Sequence, residues 1–93
     1  MYRWPERGAL VVDCQADLLS ALPTRFTIPL LAESSGYALG RLNPMLSFRN
    51  RNLVLVPQLA TTLTIAELGE VVGSLVADEY RIMGAIDFLL RGF

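Results

Sequence analysis

Over residues 10–15 the chain alternates, with Leu10, Val12 and Cys14 on one side and Val11, Asp13 and Gln15 on the other. A period of two over six residues predicts a strand with one buried face. Residues 24–31 alternate in the same way, with Phe26, Ile28 and Leu30 facing one way and Arg25, Thr27 and Pro29 the other. Proline has no amide hydrogen to give a ladder, so Pro29 predicts a strand that lies at a sheet edge or ends there. The stretch Glu33-Ser34-Ser35-Gly36, followed by Gly40, has the composition of a loop. Met45–Phe48 and residues 53–56, joined through Arg49-Asn50-Arg51-Asn52, read as a hairpin with a cationic, polar tip. Thr64-Ile65-Ala66-Glu67 has the spacing of a capping box and predicts a short helical turn stopped by Gly69 or Gly73. In the last segment Ile82, Ile86, Leu89 and Leu90 recur at helical spacing, with Met83 and Ala85 beside them and Arg81 and Asp87 off the stripe. Asp78 and Glu79 suit the positive end of that helix. Strands first and one closing helix last predict a small, strongly bent sheet capped by a helix, in the α+β class.

Composition narrows what such a domain does. A chain of 93 residues is a single domain, residues 1–93, and buries only about 65% of the surface its unfolded chain exposes. Against that limit a hydrophobic content of 53% is high, which predicts that apolar surface is buried against another chain, most economically in a homodimer. No apolar run approaches the roughly 20 residues that cross a bilayer, and the first residues lack the basic-then-apolar order of a secretory signal. A cytoplasmic protein with no membrane partner is expected.

The inventory of reactive side chains is short. Cys14 is the single cysteine and reads as a buried thiol rather than half of a disulfide. Histidine is absent, which removes the commonest general base and metal ligand. All eight basic residues are arginine, so Schiff-base chemistry and a Walker-type phosphate loop are excluded. Neither metal nor cofactor is expected. A net charge of −1 argues against general adhesion to nucleic acid. Asp13 and Asp17, four residues apart across a strand end, read as turn and hydrogen-bonding residues rather than a converging acid–base pair. Trp4 reads as a barrel residue, with an exposed anchor as the alternative, and Arg49 and Arg51 as a solvated hairpin tip, with an acidic partner as the alternative.

Taken in order, several segments resemble the CcdB family of bacterial toxin–antitoxin toxins. They are Asp13-x-Gln15-x-Asp17 followed by Leu18 and Leu19, Arg25 ahead of Ile28-Pro29-Leu30, Leu42-Asn43-Pro44 before the hairpin, Gly69-Glu70, and Ala85-Ile86-Asp87-Phe88-Leu89-Leu90. The resemblance covers nearly the whole chain. It implies a small SH3-like β-barrel with a C-terminal helix, a fold shared with the MazF and Kid ribonuclease toxins, and a homodimer. It implies action by contact, not as an enzyme. The toxin dimer inserts between the two A subunits of DNA gyrase and traps the cleaved DNA complex, while a partly disordered CcdA-like antitoxin wraps the toxin and pulls it away. Nucleic acid is then met only through the antitoxin complex, which represses its own transcription. The gyrase-binding positions so implied are Leu18 and Leu19 near the dimer seam, Glu79 at the helix start, and Asp87, Leu90, Arg91, Gly92 and Phe93 at its end. The helix runs to the last residue of the sequence, so its tip is what it is expected to present.

The chain departs from the family pattern in three places. The plasmid-encoded gyrase poison carries tryptophan where this chain has Arg91, and tryptophan stacks on an arginine of the target that Arg91 meets with like charge. Phe93 keeps an apolar, aromatic tip, and the chain reads as a chromosomal-type member. Met1-Tyr2-Arg3-Trp4 aligns with the end of the family's first strand, so either the start lies upstream or that strand is short. Pro57 stands where relatives commonly have threonine. Arg3, Arg7, Arg49 and Arg51, around an apolar surface, are expected to receive a disordered, partly acidic segment of the antitoxin. Two alternatives stay open: a MazF-type endoribonuclease in which arginine and a hydroxyl residue cleave RNA, and a non-toxic homologue retained for antitoxin binding and repression.

Overall fold

The computed structural model describes residues 1–5, 8–37 and 40–92, with Asp17 and Val76 as backbone only. Arg7 and Phe93 therefore lie outside the described residues. The chain forms β1 (Tyr2–Trp4), β2 (Ala9–Asp13), β3 (Thr24–Ala32), β4 (Met45–Phe48), β5 (Arg51–Leu55), β6 (Thr61–Thr64) and the helix α1 (Glu79–Arg91). All pairings are antiparallel, in the order β1-β2-β3-β5-β4 with β6 also on β3, and they do not close into a ring. The architecture is thus α+β, an antiparallel sheet with one C-terminal helix.

The nine-residue β3 is the trunk of the sheet, which corrects the edge position expected from Pro29. One side of β3 pairs with β2, while the other is shared, β6 taking residues 24–27 and β5 residues 30–32. Pro29 falls between those two ladders, where a missing amide hydrogen removes a bond from neither. Its carbonyl still accepts from the Val56 N–H at 3.1 Å. Alternation also understated the burial: Ile28 and Leu30 join the main core, yet Thr27 and Pro29 on the opposite face are buried as well. Thr27 tolerates this because its hydroxyl donates to the Thr61 carbonyl at 2.9 Å. Val11 and Val12 are likewise both buried, since β2 is covered on two faces rather than one.

The hairpin turn is tighter than its composition suggested. Only Arg49 and Asn50 form it, both at positive φ (50° and 63°), so β5 starts at Arg51. Two left-handed residues match the twist of the flanking strands, and asparagine suits the conformation better than arginine does. Arg49 is held there, its Nη2 donating to the Val72 carbonyl at 2.9 Å and its guanidinium 5.0 Å over the Phe48 ring. The capping box forms as its spacing predicts: the Glu67 N–H donates to Thr64 Oγ1 at 3.3 Å and the Thr64 N–H to Glu67 Oε1 at 2.9 Å. That turn sends the chain back to β1, where the Gly69 N–H donates to the Arg3 carbonyl at 2.7 Å. Glycine suits that close approach, since a Cβ would stand a tight 3.2 Å from the Arg3 carbonyl oxygen.

Helix α1 buries Ile82 and Ala85 against the core that holds Ile28, Leu30, Leu46 and Leu55, with Ile86 half-buried beside them. Leu89 and Leu90, which the spacing put on the same stripe, are exposed, Leu90 at 73%. The core ends at Ile86, so the last helical turn runs beyond it. Gly92, at φ 78°, ends the helix by donating its N–H to the Phe88 carbonyl at 2.8 Å.

Candidate functional site

Two surface elements carry the positions singled out in the sequence. The first is the loop between β2 and β3, whose turn Asp17–Leu19 exposes Leu18 at 87%, with Leu19 and Leu22 also open to solvent. Apolar loops of this kind are ordered only if something offsets the lost chain entropy. Here Asp13, Gln15 and Arg25 do so. Gln15 Nε2 donates to the carbonyls of Leu19 (3.0 Å) and Thr24 (3.1 Å), while its Oε1 accepts from the Phe26 N–H at 3.0 Å. Arg25 donates to the carbonyls of Leu22 (2.7 Å) and Thr24 (2.8 Å) through Nη1 and to that of Ser20 (2.8 Å) through Nη2. Asp13 joins the two: Oδ2 lies 3.4 Å from Arg25 Nε, and Oδ1 accepts the Gln15 N–H at 3.0 Å. The Asp13 and Gln15 of the sequence motif are therefore the two jaws of a clamp, and Arg25 closes it. The side chain of Asp17 lies outside the described residues.

The second element is the outer face of α1. Glu79, Met83, Asp87 and Arg91 follow one another at steps of four and form one ridge, flanked by Tyr80 and Leu90. Tyr80 is 91% exposed. Asp87 Oδ2 and Arg91 Nη2 lie 3.9 Å apart, an exposed i,i+4 ion pair worth a few tenths of a kcal/mol at about 0.3–0.5. On its other side the helix is tied to the sheet and loops: Arg81 Nη2 donates to the Met45 carbonyl at 2.7 Å, and the Arg41 guanidinium lies 5.1 Å from the centre of the Phe88 ring.

The expected positions separate into two groups. Gln15, Ala16, Glu79 and Met83 line one groove, which sets the stem of the leucine loop beside the helix start. Asp87, Leu90, Arg91 and Gly92 lie toward the far end, Asp87 about 12 Å and Arg91 about 18 Å from Glu79 along a helix rising roughly 1.5 Å per residue. Met83 connects the two, and sequence reasoning had placed it beside the buried stripe. Tyr80 and Leu22 were missed altogether. The i,i+4 run from Glu79 to Arg91 was the signal for the ridge, whereas nothing local marks Leu22.

Cys14 lies at the root of the clamp, half-buried, with its thiol donating to the Val12 carbonyl at 3.6 Å. Burial pushes its pKa up to about 11, and the neighbouring Asp13 carboxylate adds to the rise. At pH 8 the thiolate fraction is then about one in a thousand, against roughly a quarter for an ordinary cysteine of pKa ~8.5. Iodoacetamide should accordingly label the native protein on the order of a hundredfold more slowly than the urea-unfolded chain. Equal rates would contradict the burial of Cys14.

The described residues include no group of three or more Cys, Asp or Glu side chains placed to hold a metal ion. Among the described residues no helix is long and apolar enough to cross a membrane. What the two elements offer is an apolar and charged contact surface on rigid supports. In comparison with known proteins, a family model described as CcdB protein matches residues 1–92. None of the curated proteins matches the chain.

Proposed function

We propose a function from the premise that this chain belongs to the CcdB family of toxin–antitoxin toxins. It is the toxin of a type II module and acts by contact, without turnover. As a cytoplasmic homodimer it binds the A-subunit dimer of DNA gyrase and holds the cleaved DNA complex, and a CcdA-like antitoxin removes it. The observation that carries this reading is the ridge Glu79-Met83-Asp87-Arg91 with Leu90 exposed beside it, on a last helical turn that the core does not cover. A helix end whose leucines the core leaves uncovered is available to bury them against something else. The exposed Leu18, Leu19 and Leu22 support the homodimer, whose seam would give them cover. Burial of β3 on both faces supports the SH3-like barrel as the parent architecture.

Contact rather than catalysis is supported by how the arginines are used. A ribonuclease of the MazF type would need a guanidinium aimed at a phosphodiester, but Arg25 is spent on the loop clamp, Arg81 on the Met45 carbonyl and Arg3 on Glu70. Induced expression in a bacterial host, with wild-type or toxin-resistant gyrase A, tests the reading. Growth arrest relieved by the resistant allele is expected. Arrest that ignores the allele and is accompanied by RNA cleavage would move the protein to the ribonuclease class, and unimpaired growth would make it a homologue kept for antitoxin binding.

A further inference from the structure

We propose that the groove between α1 and the segment 40–45, which leads into β4, is a binding site for a small, flat aromatic anion. The groove measures about 820 Å³ and runs along the Tyr80 flank of the helix ridge. Its floor is the helix backbone at Gly84, the sixth of the thirteen residues of α1. Glycine inside a helix is destabilising relative to alanine, so its place there calls for a reason. Packing within the chain supplies none, because a Cβ at Gly84 meets nothing within 4 Å. What the glycine leaves is room for a flat molecule to lie against the helix backbone. Tyr80 and Asp87 stand to either side of that room, about 10 Å apart along the axis at roughly 1.5 Å per residue, a span that takes a fused two-ring system.

The walls set the chemistry of the ligand. Tyr80, 91% exposed, offers a ring face, and Met45 and Met83 bring thioethers, which make favourable contacts with aromatic rings. Two guanidinium groups line the same groove, and both are held before any ligand arrives. Arg81 Nη2 donates to the Met45 carbonyl at 2.7 Å while its Nη1 lies 3.6 Å from Asp78 Oδ1, and Arg41 rests 5.1 Å from the centre of the Phe88 ring. The one carboxylate among the described lining residues, Asp87, lies 3.9 Å from Arg91 Nη2. Arg41 makes no ion pair among the described residues, which leaves the groove with unbalanced positive charge. A guanidinium held in this way loses little freedom on meeting an acid group, which it binds with paired hydrogen bonds. A neutral aromatic molecule would leave that charge unanswered, and an inorganic anion would leave the ring and the thioethers bare. Aromatic carboxylates and mononucleotides share the required chemistry, a flat ring system with one acid group. The site belongs to the flank of the helix and does not depend on what its tip binds.

Titration of the full chain with naphthoate and with adenosine monophosphate, followed by backbone amide NMR, tests the inference; naphthalenemethanol and inorganic phosphate serve as the neutral and the ring-free controls. At least one of the two aromatic anions is expected to bind, one molecule per chain, with shifts confined to residues 40–45 and 80–88. The tighter of the two tells an aromatic carboxylate from a nucleotide as the ligand class. Both controls should bind at least tenfold more weakly. Arg41→Glu should cost at least tenfold in affinity, and Gly84→Leu, which fills the floor, should abolish binding. Leucine favours a helix more than glycine does, so Gly84→Leu should also raise Tm by a few degrees, which separates loss of the site from loss of the fold. The proposal is overturned if neither anion binds, if the shifts scatter over the surface, or if naphthalenemethanol binds as well as naphthoate. It is overturned equally if Gly84→Leu binds as tightly as the parent, or if that variant lowers Tm and so shows that the chain itself needs the glycine.

Discussion

Arg91→Trp is expected to tighten binding to the gyrase A-subunit dimer by about tenfold or more, and deletion of Gly92 and Phe93 to abolish it. An aromatic anchor at the centre of an interface commonly contributes about 2 kcal/mol or more, a factor of roughly thirty in affinity. The substitution also gives up the exposed Asp87–Arg91 pair, 3.9 Å apart, an interaction of about 0.3–0.5 kcal/mol that the gain at the interface should outweigh. Tryptophan would also release Asp87, which lies one turn back on the same ridge and is then free to meet a cation of the target. The truncation removes residues beyond the buried stretch at Ile82 and Ala85, so the protein should remain folded. Calorimetry on parent, Arg91→Trp and truncated proteins decides the matter. A truncated protein that binds gyrase as well as the parent does would take the helix tip out of the mechanism.

Arg25→Ala should have the second large effect, on both stability and recognition. It removes the donors to the carbonyls of Ser20, Leu22 and Thr24 and the cation beside Asp13. Hydrogen bonds to charged groups contribute about 1.5–3 kcal/mol each at best, and the loop carbonyls can partly turn to water, so a net loss of about 2–3 kcal/mol is expected. For a domain of this size that lowers Tm by roughly 10–20 °C. Arg25→Lys keeps a cation for Asp13 but cannot reach three carbonyls with one ammonium group, and should fall in between. Gln15→Ala tests one jaw of the clamp that Arg25 closes. In both alanine variants amide exchange over residues 16–23 should accelerate while β3 and α1 stay protected, and binding through Leu18 and Leu19 should weaken because the loop must be ordered on contact. Unchanged exchange in that loop would show that Arg25 and Gln15 do not position it.

Wherever local residues settle a local structure, the order of the chain was legible. Thr64 and Glu67 are three residues apart and satisfy each other's backbone, so their box needs nothing from elsewhere in the chain. The β4–β5 hairpin and the closing helix follow from alternation and from helical spacing in the same way. The clamp was half visible: Asp13-x-Gln15 marked the place, but Arg25 reaches it only because β2 and β3 pair with Asp13 opposite Thr27.

Three features came from the tertiary structure alone. Pro29 reads as an edge residue until β6 and β5 divide one side of β3 between them and leave the proline in the gap. Leu89 and Leu90 read as core until α1 packs through Ile82, Ala85 and Ile86 and leaves its last two leucines outside the core. Arg3 and Arg51, far apart in sequence, share a pocket because the two hairpins stand on either side of β3. The sequence by itself determined which elements form, since propensity, capping and periodicity act within a few residues. Which faces those elements cover, and hence which leucines and arginines remain for a partner, was decided by strand pairing between distant segments, a choice that no short stretch of the chain encodes.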